Sequence, residues 1–214
     1  MNYSVLLVQM LEATGMTVRI FFVTLVFSLP LGLLTAAGRM SKVKAVSLPV
    51  RFYILLMRGT PLMLQLLFLF YGMKPLFGIQ PDRVLAAEVA FVLNYAAYFA
   101  EIFRGGIEGI PRGQYEAAKV LGFTRRQTFF RIVMPQVVKG ILPPMSNEFI
   151  TLVKDTSLAQ VIGVIELLKT TSDWVSSAVS MVPFVVAAVF YLAMNAVVTR
   201  CFTVAEKRYS YYSR

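Results

Sequence analysis

The sequence predicts an all-α polytopic membrane protein with five transmembrane helices and a helical loop on the cytoplasmic side. Three observations predict it. First, 57% of the 214 residues are hydrophobic and only 15% are charged, against roughly 25% charged in an ordinary soluble domain. A soluble domain of this size has too little interior to hide that much apolar surface, so lipid is the expected solvent. Second, long apolar runs recur along the chain. Third, the net charge of +10 is concentrated in particular loops. A basic balance also fits nucleic-acid binding. In so apolar a chain it marks cytoplasmic loops instead, and no nucleic-acid partner is expected.

A membrane-spanning helix needs about 20 mostly apolar residues. Residues 20–38 are uncharged and end at Arg39, which places a first span at about 17–39. The first 18 residues hold Glu12 but no Lys or Arg, so the basic region of a cleavable signal peptide is missing. Residues 59–73 are uncharged and, extended back to Arg51, make a second span at about 51–73. Residues 85–103 are apolar apart from Glu88, Asn94 and Glu101, giving a third span at about 84–105. Residues 174–199 form the longest uncharged stretch and contain a last span at about 178–202.

Loop charge orients these spans. Residues 39–58, 104–139 and 200–214 together hold sixteen basic and three acidic residues, and the rest of the chain sums to −3. The positive-inside rule puts all three stretches in the cytoplasm, with the N-terminus outside and the C-terminus inside. An even number of crossings must then separate residues 104–139 from the C-terminus. A hidden span at about 132–160 is therefore required, although it carries Lys139, Glu148, Lys154 and Asp155. A helix so charged must be buried in protein or line a polar cavity. Pro143-Pro144 is expected to bend it. The whole chain, 1–214, reads as one membrane domain with no repeat and no soluble module.

The cytoplasmic loop, about 108–127, holds the most informative local pattern. Glu116 to Leu121 are largely good helix formers, Gly122 suits a change of direction, and Thr124 is a fitting N-cap. The expectation is a short helix, a glycine turn and a second helix. Such a knob suits docking into a partner's groove, and the pattern also fits an ordinary amphipathic loop helix. Glu116-Ala117-Ala118, three residues, Gly122, nine residues, Ile132, one residue and Met134-Pro135 resembles the EAA motif of ABC importer permeases, with Met134 where Leu is commoner. Arg58-Gly59-Thr60-Pro61-Leu62 resembles the segment opening the second helix of polar amino acid permeases. Asn94 through Ala97-Tyr98, Ala100-Glu101 and Arg104-Gly105 resembles their third helix, and Lys154-Asp155-Thr156-Ser157-Leu158 the end of their fourth.

The resemblance implies a type I ABC importer permease for polar amino acids in a bacterial inner or plasma membrane. Its implied partners are an ATP-binding ABC subunit, an extracytoplasmic amino acid-binding protein and a second permease subunit, identical or homologous. Glu116, Ala117, Ala118 and Gly122 are then the coupling element that meets the ATPase. No cofactor is expected in this chain, because ATP and Mg would be bound by the ATPase. In keeping with that, the chain has no G-x-x-x-x-G-K-[ST] phosphate loop. A channel or secondary transporter working without an ATPase is the alternative.

Polar residues inside the spans are candidates for the substrate path. Asn94, Tyr98 and Glu101 fall at i, i+4 and i+7, one stripe of a helix. An amino acid's ammonium group suits Glu101 or Asp155, and its carboxylate suits amides, hydroxyls or a helix N-terminus. Gln65 on the second helix is a further candidate. Each has a plainer alternative. Glu101 is three residues from Arg104, the spacing of a local ion pair, and lies ~25 Å along its span from Val84. Asn94, Tyr98 and Gln65 fit bridges between helices equally well. Thr151 and Asp155 share a face, with Glu148 one turn earlier.

The remaining features carry less. The segment 163–177 is expected outside, either as a surface helix meeting the binding protein or as a plain connection. Tyr209, Tyr211 and Tyr212, with Arg208 and Arg214, suit the headgroup level. With no His and only Cys201, a reduced thiol near the cytoplasmic end, His–Cys zinc sites, disulfides and His-based catalytic triads are excluded within the chain. No catalytic or metal-binding residue is expected.

Overall fold

A computed structural model describes residues 2–209. Tyr211, Tyr212 and Arg214 of the aromatic and basic tail lie outside the described residues. The described chain is helical, with no strand among the described residues. α1 (Tyr3–Arg39) is followed by α2 (Lys44–Gly59), α3 (Leu62–Leu67), a π-helical turn at Phe68–Gly72 and α4 (Met73–Phe77). α5 (Arg83–Glu108), α6 (Arg112–Val120) and α7 (Arg125–Gln127) come next. A second π-helical turn, Thr128–Val133, leads into α8 (Met134–Asp155), and a 3-10 turn, Thr156–Ile162, leaves it. α9 (Leu167–Ala178) and α10 (Val182–Tyr209) complete the fold.

Three of these helices, α1, α5 and α10, are each long and apolar enough to cross a membrane. α2 and the run Leu62–Phe77 pass together, bent by 106°. The stretch expected as a second span over about 51–73 is therefore not one continuous helix but a pair of helices broken at Thr60 and Pro61. α8 covers most of the stretch expected as the hidden charged span, but it is not among the helices apolar enough by composition to cross a membrane. It packs against α5 and α10, and buries Val137, Met145, Leu152 and Val153. Pro143 and Pro144 lie inside it without interrupting it, so the sharp break belongs to α2 and α3 and not to the double proline.

α5 is the most buried of the long helices and α10 the least. α5 begins where Asp82 accepts hydrogen bonds from the Val84 and Leu85 N–H groups, at 2.9 and 3.1 Å, an N-cap that satisfies two orphan donors. Its main neighbour is α1, and the seam is built from small residues. Ala87, Ala90, Ala96, Ala97 and Ala100 of α5 are buried, as are Thr24, Ser28 and Ala36 of α1. A Cβ on Gly32 would come within 2.9 Å of Phe99 Cβ and 3.1 Å of the Ala96 carbonyl. Lipid supplies no hydrophobic drive between helices, so close backbone approach and dispersion hold such a pair.

The first helix starts well before the expected position 17. Its 37 residues extend about 55 Å, against a hydrocarbon core of ~30 Å. The added turns pack through Leu6 and Met10 onto Leu167 of α9 and Ala187 of α10. Glu166, fully buried, caps α9 by accepting from the Leu168 and Lys169 N–H groups at 2.8 and 2.7 Å, and from the Tyr191 hydroxyl at 3.3 Å. Burial pushes its carboxyl up to about 7, against the opposing pull of those three bonds.

A carboxyl whose pKa is raised on folding stabilises the fold fully below its unfolded value and loses that contribution as pH rises through the folded value. The thermal midpoint of the detergent-solubilised protein is therefore expected to fall between pH 5 and pH 8, and Glu166→Gln to flatten that slope. An equal slope in the variant would remove Glu166 as the cause.

Candidate functional site

The site begins with a backbone problem. In an unbroken helix the Met57 carbonyl would accept from residue 61, but Pro61 has no N–H. α2 ends at Gly59, Thr60 adopts an extended backbone, and α3 restarts at Leu62. The orphaned Met57 carbonyl accepts instead from Asn94 Nδ2 at 2.9 Å and Gln65 Nε2 at 3.0 Å. Gln65 Nε2 also lies 2.8 Å from Thr60 Oγ1 and 3.2 Å from the Thr60 carbonyl, and Thr60 Oγ1 donates to the Leu56 carbonyl at 2.8 Å. Asn94 Nδ2 donates to Gln65 Oε1 as well, at 3.0 Å. Gln65 and Asn94 thus brace the break, the bridging role that the sequence left open for both.

A cavity of about 530 Å³ lies at this break, lined by residues of α2, α3, α5, α8 and the 3-10 turn. Arg58, Thr60, Asn94 and Tyr98 line one side, and Glu148, Thr151 and Asp155 project from α8. The i, i+3 and i+7 spacing of those three places them on one helix face. Asp155 Oδ2 accepts from the Tyr95 hydroxyl at 2.8 Å, which leaves its other oxygen free of that bond. Arg58 sits over the Tyr98 ring, its guanidinium carbon 5.2 Å from the centroid. The cavity therefore presents one cation and two carboxylates, with hydroxyls between them. Among the described residues no group of His, Cys, Asp and Glu is arranged to hold a metal ion.

Of the expected path residues, Asn94, Tyr98 and Asp155 line the cavity, while Gln65 stands behind Asn94. Glu101 does not line it. Its carboxylate meets Arg104 at 2.7 Å, Arg39 at 3.5 Å and Arg58 at 3.8 Å, tying the ends of α1 and α2 to α5. The local pair with Arg104 is present, and two cations distant in sequence join it. Sequence reasoning missed Tyr95, whose spacing from Phe91 and Phe99 disguises it as one more aromatic in an apolar stripe. It also counted Arg58 as loop charge and as the start of a family segment, and did not place it among the path residues.

The loop between α5 and α8 folds as its residues suggest. α6 ends with the Phe123 N–H donating to the Ala118 carbonyl at 3.0 Å and the Gly122 N–H to the Lys119 carbonyl at 3.1 Å. These are the paired bonds of a Schellman cap, and Gly122 takes the left-handed φ of 76° it needs. Thr124 then opens α7 with a reciprocal capping box: Gln127 N–H donates to Thr124 Oγ1 at 3.3 Å, and Thr124 N–H to Gln127 Oε1 at 2.9 Å. Ala118 is buried, whereas Glu116 and Ala117 are exposed. Val120 and Leu121 form an apolar tip, 88% and 72% exposed.

A family model described as "Binding-protein-dependent transport system inner membrane component" matches residues 28–211. The chain belongs to this family. It is a multi-pass permease subunit of the inner membrane. The L-cystine transport system permease protein TcyB of Bacillus subtilis is 41% identical over 157 residues, spanning 73% of this chain and 67% of the relative. The octopine transport system permease protein OccM of Rhizobium radiobacter is 40% identical over 194 residues, spanning 85% and 79%. A solved amino acid ABC transporter with histidines superposes with a TM-score of 0.87 at 32% identity, over 97% of this chain and 95% of that one.

The permease's loop owes its shape to backbone conformation at Gly122, since a Cβ there would meet nothing within 4 Å. Substitution by Ala or by a bulkier residue is thus strained by φ alone, at about 1–2 kcal/mol. Gly122→Ala is expected to quicken amide exchange across residues 112–124 by roughly tenfold. Unchanged exchange would show that the turn adopts another conformation.

Proposed function

We propose that this permease is the transmembrane subunit of an ATP-driven importer that moves a polar amino acid into the cytoplasm by alternating access. The observation that carries the reading is the pairing of charge in the cavity, with Arg58 facing Glu148 and Asp155. An amino acid brings one carboxylate and one ammonium group, which suit that pairing. In a site shielded from water these charge-assisted contacts are stronger than at a surface. The relatives named for cystine and octopine support the same class of solute.

The remaining parts follow from that reading. A separate ATPase subunit supplies the energy, with ATP and Mg bound there. The α6–Gly122 turn docks into it, offering Glu116, Ala117 and the apolar tip of Val120 and Leu121. A second permease subunit, identical or homologous, completes the pathway. The N-terminus lies outside and the C-terminus in the cytoplasm. The extracytoplasmic binding protein meets the groove of about 750 Å³ between α1 and α9, where Glu12, Asp173 and Trp174 gather.

Uptake by proteoliposomes containing permease, ATPase and binding protein tests the cavity. Asp155→Asn and Glu148→Gln are each expected to reduce uptake by roughly tenfold or more, with ATPase assembly retained. Uptake at the wild-type rate in both variants, or in vesicles lacking the ATPase, would overturn the reading. Orientation is tested by cysteine labelling in a Cys201→Ser background. Ser41→Cys should react only from the cytoplasmic side and Ser177→Cys only from outside, and the reverse pattern would invert the topology.

A further inference from the structure

Arg58 is held from two directions. Its Nη1 lies 3.8 Å from Glu101 Oε2, and on the cavity side it covers the Tyr98 ring. Glu101 is heavily subscribed. Arg104 takes both of its oxygens, through Nε at 3.2 and 3.1 Å and Nη2 at 2.7 Å, and Arg39 approaches to 3.5 Å. Glu108 also pairs with Arg104. Three guanidinium groups therefore share two carboxylates. The least satisfied is Arg58, which has the longest contact and a side chain 43% exposed, against 27% for Arg39 and 28% for Arg104. Against Glu101 and Glu108 alone the cluster has one surplus positive charge, and Arg58 presents it to the cavity, toward Glu148 and Asp155, on a side chain that Glu101 holds only weakly.

We propose that Glu101 is an internal stand-in for the substrate's carboxylate: it holds Arg58 while the cavity is empty and yields it when an amino acid's α-carboxylate arrives. The proposal rests on the amino acid reading of the cavity. Glu101 lies outside the lining, so it is a positioning residue that acts through Arg58. No bond is made or broken covalently; one ion pair replaces another. Surrender of Arg58 removes one of the ties between α2 and α5, with the Asn94 bond to the Met57 carbonyl kept, and leaves Arg39 and Arg104 on Glu101. Occupancy of the cavity then loosens one strand of a three-arginine clasp that joins α1, α2 and α5.

The competition makes a prediction of opposite signs. Removing the Glu101 charge frees Arg58 for substrate, so Glu101→Gln should tighten binding by about fivefold. Removing Arg104 leaves Glu101 more dependent on Arg58, so Arg104→Gln should weaken it by a similar factor. Glu101→Asp should stay within about twofold of the parent. Both shifts should vanish in an Arg58→Ala background. The readout is the Kd of radiolabelled L-arginine, L-glutamine or L-cystine on the purified permease–ATPase complex without the binding protein, so that only the permease's own site is measured.

Arg58→Ala separates the possible failures. It should weaken binding roughly tenfold or more. If it does not, or if none of the three amino acids binds, the amino acid reading of the cavity fails and the proposal with it. If Arg58→Ala weakens binding but Glu101→Gln and Arg104→Gln shift Kd in the same direction, or keep their effects without Arg58, Glu101 is only a brace. The proposal is then overturned and the cavity's reading stands. Should Glu101→Gln fail to assemble, the sign of the Arg104→Gln shift and its loss without Arg58 decide the matter.

Discussion

A helix broken inside a membrane leaves carbonyl groups that no water can satisfy. That constraint organises this permease. Pro61 withholds the N–H that the Met57 carbonyl would have accepted. The carbonyl is met by two side-chain amides, one local and one from α5. The local amide, Gln65, reaches back across the bend from α3. The other, Asn94, ties the break to the most buried long helix of the fold. Because both amides bond each other as well, the break is held from two elements at once. The cavity exists because of this arrangement. A straight helix in place of the bent one would carry Arg58 and Thr60 along a single axis instead of opening a recess against α8.

The polar residues of the membrane region divide into three kinds of work. Asn94 and Gln65 satisfy backbone. Glu101 gathers cations from α1, α2 and α5 into one clasp. Arg58, Tyr98, Glu148, Thr151 and Asp155 face the cavity, with Asp155 steadied by Tyr95. The division is physical, because a buried polar group must have a partner and the partner available differs from turn to turn. Asn94 lies opposite the bent helix, Tyr98 opposite Arg58, and Glu101 beside arginines near three helix ends. One stripe of α5 therefore carries three functions.

The loop between α5 and α8 follows a different logic. Its shape is set within a dozen residues by hydrogen bonds between near neighbours. The Schellman cap, the left-handed Gly122 and the Thr124–Gln127 capping box each depend on residue type at a fixed spacing; the Gly122 turn and the Thr124 N-cap were read from the chain, and the Gln127 half of the box was not. What the loop presents to a partner was less legible. The EAA pattern drew attention to Glu116, Ala117 and Ala118, yet Ala118 is buried against the fold and the apolar tip is Val120 and Leu121. Helical periodicity alone does not say which face of a short helix meets the body of its own protein.

The sequence by itself determined the solvent, the helical class and the local turns of this protein. Hydropathy and loop charge are sums over the chain and need no coordinates. They indicated a charged fourth span, and α8 has that composition. Spacing also placed Glu148, Thr151 and Asp155 on one face, since periodicity within a helix is local. Only the tertiary structure decided what those faces meet. It bent the second span at Thr60 and Pro61, carried α8 unbroken through Pro143 and Pro144, and began α1 at Tyr3. It also set Glu101 among three arginines, outside the lining of the cavity. The physical reason is that a polar side chain in lipid takes its role from its nearest partner, and that partner lies 37 residues away for Asn94 and 60 for Tyr95.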